Sequence, residues 1–114
     1  MSSTITTRVN VPDELIINAL ESADIGYWAN VPRGADHAKL LGGAATALVY
    51  ESEGSHDGKG DGHHELTGDK VRAGLQVLAT KYPHHFADIV GDNSDCITGD
   101  VLVQCALFGE IIYG

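Results

Sequence analysis

Positive charge is scarce in this chain. Its 114 residues hold 7 Lys and Arg against 16 Asp and Glu, a formal net charge of −9. The shortage is regional. From Tyr82 to Gly114 there is no Lys or Arg, while Asp88, Asp92, Asp95, Asp100 and Glu110 all fall there. Such a surface repels a phosphate backbone, so direct nucleic-acid binding is excluded from the expected functions. Two readings of the acidity remain. One is solubility alone, and the other is an acidic face that meets a basic partner, such as the nucleic-acid groove of another protein.

Cysteine is nearly absent, with only Cys96 and Cys105. On one helix, nine residues of rise separate them by about 13 Å, too far for a disulfide. Reduced thiols in a cytoplasmic protein are expected, with Cys105 a small core residue among apolar neighbours. Aromatic residues make up 6% of the chain, so Tyr27, Trp28 and Tyr50 are expected chiefly as core anchors. Tyr27 and Trp28, with Asp88, Asp92 and Asp95, are also the candidate partner-binding residues. No apolar run is long enough for a membrane span, because Asp100, Gln104 and Glu110 interrupt the C-terminal stretch. Met1–Asn10 has neither the basic nor the apolar segment of a targeting signal. Nucleophile motifs are lacking too: Ser94 sits in no Gly-x-Ser-x-Gly elbow, and Cys96 has no base partner identifiable by position.

What is present describes one α+β domain, a small β-hairpin with a mainly helical C-terminal half packed around a buried last helix. The length suits a single domain over residues 1–114, and 43% hydrophobic with 20% charged residues suits a folded one. Thr4–Val11 is β-branched and alternates at Ile5, Val9 and Val11, with Thr7 breaking the pattern, as an edge strand or extended arm would. Pro12-Asp13-Glu14 opens a helix whose stripe is Leu15, Ile16, Ala19, Leu20 and Ala23, ending by Gly26. Asn30–Gly43 reads as a connection with one helical turn at Asp36–Leu41. Ala44–Ser52 and His63–Leu66 read as two strands around a glycine-punctuated loop. Thr67 caps a helix with Val71, Leu75, Leu78, Ala79 and Tyr82 on one face. Pro83 breaks it after Tyr82, and a short helix through Phe86, Ile89 and Val90 runs to Gly91. Thr98 caps a final helix from Val101 to Ile112 that is apolar nearly all round, so either the domain wraps it or a second copy covers one side in a homodimer.

Two stretches could hold a divalent metal. Ser55–Glu65 brings His56, His63 and His64 together with Asp57, Asp61 and Glu65. It is not a calcium loop, since Lys59 stands at the third ligand position and Gly68 at the twelfth. It lacks a phosphate-binding ending as well. His84 and Asp88 sit four apart, on one face of a helix. The metal candidates are therefore His84, Asp88, His63 and His64, set against a solvated loop and an exposed helical turn. On the last helix Asp100 and Gln104 mark a wet face. Glu110 is buried among Phe108, Ile111 and Ile112, and either pairs with Arg8, Arg33 or Arg72 or acts as a functional acid. Asp100 and Glu110 are the catalytic candidates.

The runs Tyr82-Pro83-His84-His85-Phe86-Ala87-Asp88, Thr98-Gly99-Asp100-Val101 and Ala106-Leu107-Phe108-Gly109-Glu110 resemble a group of small bacteriophage proteins of about 110 residues. Gly26-Tyr27-Trp28-Ala29 resembles that group's N-terminal half. The resemblance covers most of the chain and brings no established activity. It implies a non-structural phage protein in the bacterial cytoplasm, where small acidic proteins inhibit host or defence machinery. The expected function is binding of a host or defence protein, or of a small signalling nucleotide, without turnover. A small metal-dependent enzyme with a His/Asp site is the alternative, and a structural or assembly role is a third.

Overall fold

The computed structural model describes residues 2–5 and 8–114. Five helices and three strands follow in the order α1 (Asp13–Ser22), β1 (Ala29–Arg33), α2 (His37–Leu41), β2 (Ala47–Glu51), β3 (His63–Leu66), α3 (Gly68–Lys81), α4 (Pro83–Val90) and α5 (Cys96–Phe108). The fold class is α+β, with an antiparallel sheet of order β1-β2-β3. The hairpin pairs Ala47 with Leu66 and Tyr50 with His63. Alternation places Ala47, Val49 and Glu51 on the buried face of β2.

Most boundaries have a visible cause. Thr67 accepts from the Lys70 N–H and starts α3, and Pro83 starts α4 after a non-helical Tyr82. The α2 turn is capped by Asp36, which accepts from Lys39. Three differences from the sequence reading fall within the first 33 residues. No strand forms among the described residues of 4–11, and Thr6 and Thr7 lie outside the described residues. Helix α1 ends at Ser22 rather than near Gly26, because Ala23 turns extended and Ile25 accepts turn bonds from Trp28 and Ala29. Strand β1 lies within the segment expected as a connection. It holds Pro32, which cannot donate to a ladder, and it is an edge strand with its register broken between Asn30 and Arg33.

Helix α5 is the centre of the core. It begins at Cys96, earlier than a Thr98 cap would place it. Asp95 accepts from the Ile97 and Thr98 N–H groups, and the Thr98 hydroxyl accepts from the Asp95 N–H, a closed capping box. It ends at Phe108 rather than Ile112. Gly109 adopts φ 74°, the left-handed turn that glycine takes without strain, and sends residues 110–114 back along the helix. Residues 98–105 of α5 are all buried. Helices α1, α3 and α4 and strand β3 pack around it, so its all-round apolarity is met within one chain and requires no second copy. Two glycines let backbone approach closely at α5. A methyl at Gly74 would lie 2.6 Å from the Ala106 nitrogen of α5, and one at Gly99 would lie 2.6 Å from Ala23 beyond α1.

Candidate functional site

The most unusual chemistry in the molecule is a pair of buried carboxylates, Glu51 at the end of β2 (4% exposed) and Asp100 in α5 (7% exposed). Burial disfavours an ionised acid unless donors converge on it. Around Glu51 they do. Oε1 accepts from the Tyr113 hydroxyl at 2.6 Å and from the His56 backbone N–H at 3.0 Å, and lies 2.8 Å from His56 Nδ1. Oε2 lies 2.8 Å from His64 Nε2. Phe108 lies against both imidazoles, with ring centroids at 4.7 and 5.1 Å. Burial alone would raise the Glu51 carboxyl, but the bonds from Tyr113, His64 and His56 outweigh it and hold the carboxyl at about 2. The Tyr113 hydroxyl is pushed up to about 12, by burial first and then by Glu51.

Asp100 is held differently. Oδ2 accepts from the Tyr27 hydroxyl at 2.5 Å, and Oδ1 accepts from Trp28 Nε1 at 2.9 Å and Gln104 Nε2 at 2.8 Å. All three donors are neutral, and Asp100 has no ion pair among the described residues. The Tyr27 hydroxyl rises to about 12 through burial, then through its bond to Asp100 and that carboxylate's charge.

Gln104 and Tyr113 join the two acids. Gln104 Nε2 also donates to the Tyr113 carbonyl, while Oε1 accepts from the Ile112 and Tyr113 N–H groups at 2.8 and 2.7 Å. Tyr113 stacks on Trp28 with centroids 4.9 Å apart. The C-terminal segment is thus stitched to α5 and to β2 through one continuous polar network.

Beside the Asp100 end lies an open cleft of about 400 Å³, lined among others by Asp24, Tyr27, His85, Ile97, Asp100 and Tyr113. Cys96, on the first turn of α5, borders it too. His85 Nδ1 is buried with no hydrogen-bond partner. Burial lowers the affinity of this imidazole for a proton, His84 adds to that, and Asp88 and Asp95 oppose it.

The sequence-derived candidates separate on this frame. His64 goes to Glu51, whereas His63 stacks on Tyr50 at 3.8 Å and lies 3.4 Å from Asp61. His84 is exposed and lies against His85 with centroids 4.0 Å apart, and Asp88 is half-buried on α4. Among the described residues, no three His, Cys, Asp or Glu side chains gather so as to hold a metal ion. Asp100 and Gln104, expected on a wet face, are buried because Tyr27, Trp28 and the returning tail cover that side of the helix. Glu110, expected buried within the helix, is exposed beyond its end at Gly109 and joins no ion pair among the described residues. Of its expected partners, Arg72 instead pairs with Asp13 at 3.2 Å, and Arg33 donates to Thr46. Trp28, a candidate for partner binding, is 3% exposed and belongs to the core, while Tyr27 beside it is 59% exposed. Asp92, at φ 56°, accepts from Asn18 of α1, and Asp95 caps α5.

Glu51, His56, Gln104 and Tyr113 carry the network without having been singled out as a group. Glu51 was detectable in principle, since it continues the buried alternation of Ala47 and Val49. No family model, curated protein or solved structure matches the chain. No helix among the described residues is long and apolar enough to cross a membrane.

Proposed function

We propose that this protein is an acidic interaction module that binds a basic surface of another protein without turnover. The observation that carries this reading is how the acids divide. Both buried carboxylates are occupied by internal donors, Glu51 by Tyr113 and two histidines and Asp100 by Tyr27, Trp28 and Gln104. Of the remaining acids, a group comes from two segments that supply no cation of their own, with Arg72 of α3 pairing only with Asp13 there. Residues 9–32 hold no Lys or Arg, and neither do residues 82–114. These segments pack together through α1, α4 and α5, with Asn18 bonded to Asp92. Glu21, Asp24, Asp88, Asp92 and Asp95 therefore share a region of uncompensated negative charge, which favours encounter with a basic partner. The resemblance to phage proteins supplies a setting in which that partner is a host or defence protein.

The test uses a quadruple variant, Glu21→Gln, Asp24→Asn, Asp88→Asn and Asp92→Asn, none of which removes a core group. The immobilised parent is expected to retain a discrete basic protein from bacterial lysate that the variant releases. A partner held equally by both proteins, or one that emerges chemically modified, would contradict the reading.

A further inference from the structure

The cleft beside Asp100 has a chemistry of its own. Its lining includes the carboxyl group of Asp100, which is 7% exposed, bonded only to neutral donors and without an ion-pair partner among the described residues. Oδ2 accepts a single bond, from Tyr27, which leaves acceptor capacity on a residue that lines the cleft. Asp24 stands at the rim, within electrostatic reach of the Tyr27 hydroxyl. The walls are aromatic and aliphatic. Tyr27 and Ile97 are each 59% exposed, and Tyr113 is fixed by its stack on Trp28. Tyr27 is also pinned through its hydroxyl, so its ring offers a face that is already in place. No Lys or Arg comes from either segment that builds the cleft. The one basic group present, His85, is kept toward its neutral form by burial.

A carboxylate bonded only to neutral donors, a second at the rim and a rigid aromatic wall suit a planar cation on an apolar stem. A guanidinium stacks on an aromatic ring and bonds to a carboxylate in the same pose, which an ammonium does less well. We propose that this cleft is the anchor of the interaction surface and accepts one arginine side chain of the basic partner. The proposal rests on the interaction reading above. It adds which part of the acidic region makes the specific contact and which residue it selects. The surrounding Asp88, Asp92 and Asp95 then act as steering charges rather than as contacts.

The probe is Nα-acetyl-arginine methylamide, titrated into isotopically labelled full-length protein and followed by amide chemical shifts. The neutral isostere Nα-acetyl-citrulline methylamide is the control. Saturable shifts at Tyr27, Ile97 and Tyr113 are expected with arginine, and binding about tenfold weaker with citrulline. Ile97→Lys places a tethered cation at the rim of an exposed position and should abolish the arginine response with the fold intact. Asp24→Asn should weaken it about threefold. Equal responses to arginine and citrulline would overturn the proposal. So would shifts spread over the surface acids that spare Tyr27 and Ile97, or an Ile97→Lys protein that binds like the parent. A partner still captured in a salt-sensitive way by Ile97→Lys would overturn this anchor and leave the acidic-face reading standing. Arginine binding in the cleft of a protein that captures nothing would support the cleft and overturn the acidic-face reading alone.

Discussion

Replacing Gln104 with leucine should detach the C-terminal segment from the helix it lies on. Gln104 is 0% exposed, and its amide makes four bonds, to Asp100, to the Tyr113 carbonyl and to the Ile112 and Tyr113 N–H groups. Leucine fills a similar volume and makes none of them. Each buried polar group left bare costs about 1–3 kcal/mol, and three backbone groups lose a partner at once. If the tail stayed in place, the sum would exceed the cost of letting it go. Released, residues 111–114 rehydrate but give up the Tyr113 stack on Trp28 and its bond to Glu51. That cheaper route limits the loss to about 2–4 kcal/mol, or roughly 10–20 °C in melting temperature for a domain of this size. Urea unfolding followed by Trp28 fluorescence measures the stability, and amide hydrogen exchange at Ile112 and Tyr113 reports the tail. A loss below about 1 kcal/mol with both amides still protected would refute this reasoning.

Acid should act through Glu51. Its carboxyl sits at about 2 in the folded protein against an ordinary 4.5, so its contribution is complete above 4.5 and is lost as the pH falls toward 2. The gap corresponds to at most about 3 kcal/mol, less after solvent screening, and Glu51→Gln should flatten that part of the melting-temperature profile; identical profiles would refute it. Gly99→Ala places a methyl against the Ala19 carbonyl and 2.6 Å from Ala23, so thermal melting should show a loss of about 2–4 kcal/mol. The two thiols should differ in reactivity toward a disulfide reagent. Exposed Cys96 should react at once, while Cys105, buried and raised to about 11, should react only as the protein unfolds.

Local signals were well legible in the sequence. Thr67 and Pro83 bracket α3 as expected, and the β2–β3 hairpin falls where two short runs flank a glycine-rich loop. The features that resisted depend on distant partners. Strand β1 is an edge strand with a proline, and pairing with β2 makes it a strand where its own composition does not. The apolar run at the end of α5 continues through Ile111 and Ile112, which hides the reversal at Gly109. Asp100 and Gln104 looked like the wet stripe of an apolar helix because polar residues on such a helix usually are. What inverts the expectation is the delivery of Tyr27 and Trp28 from more than seventy residues away. Glu51 was recoverable from strand alternation, but its histidines were more easily read as surface or metal ligands than as donors to a buried acid.

The central claim is that the acidic region of this protein binds a basic partner. The dissociation constant of the captured complex, measured at about 0.05 M and about 0.5 M NaCl, tests it most directly, since the screening length falls from roughly 14 Å to 4 Å over that range. Binding weakened by about tenfold or more at the higher salt is the predicted result. An affinity that does not move with salt would contradict it.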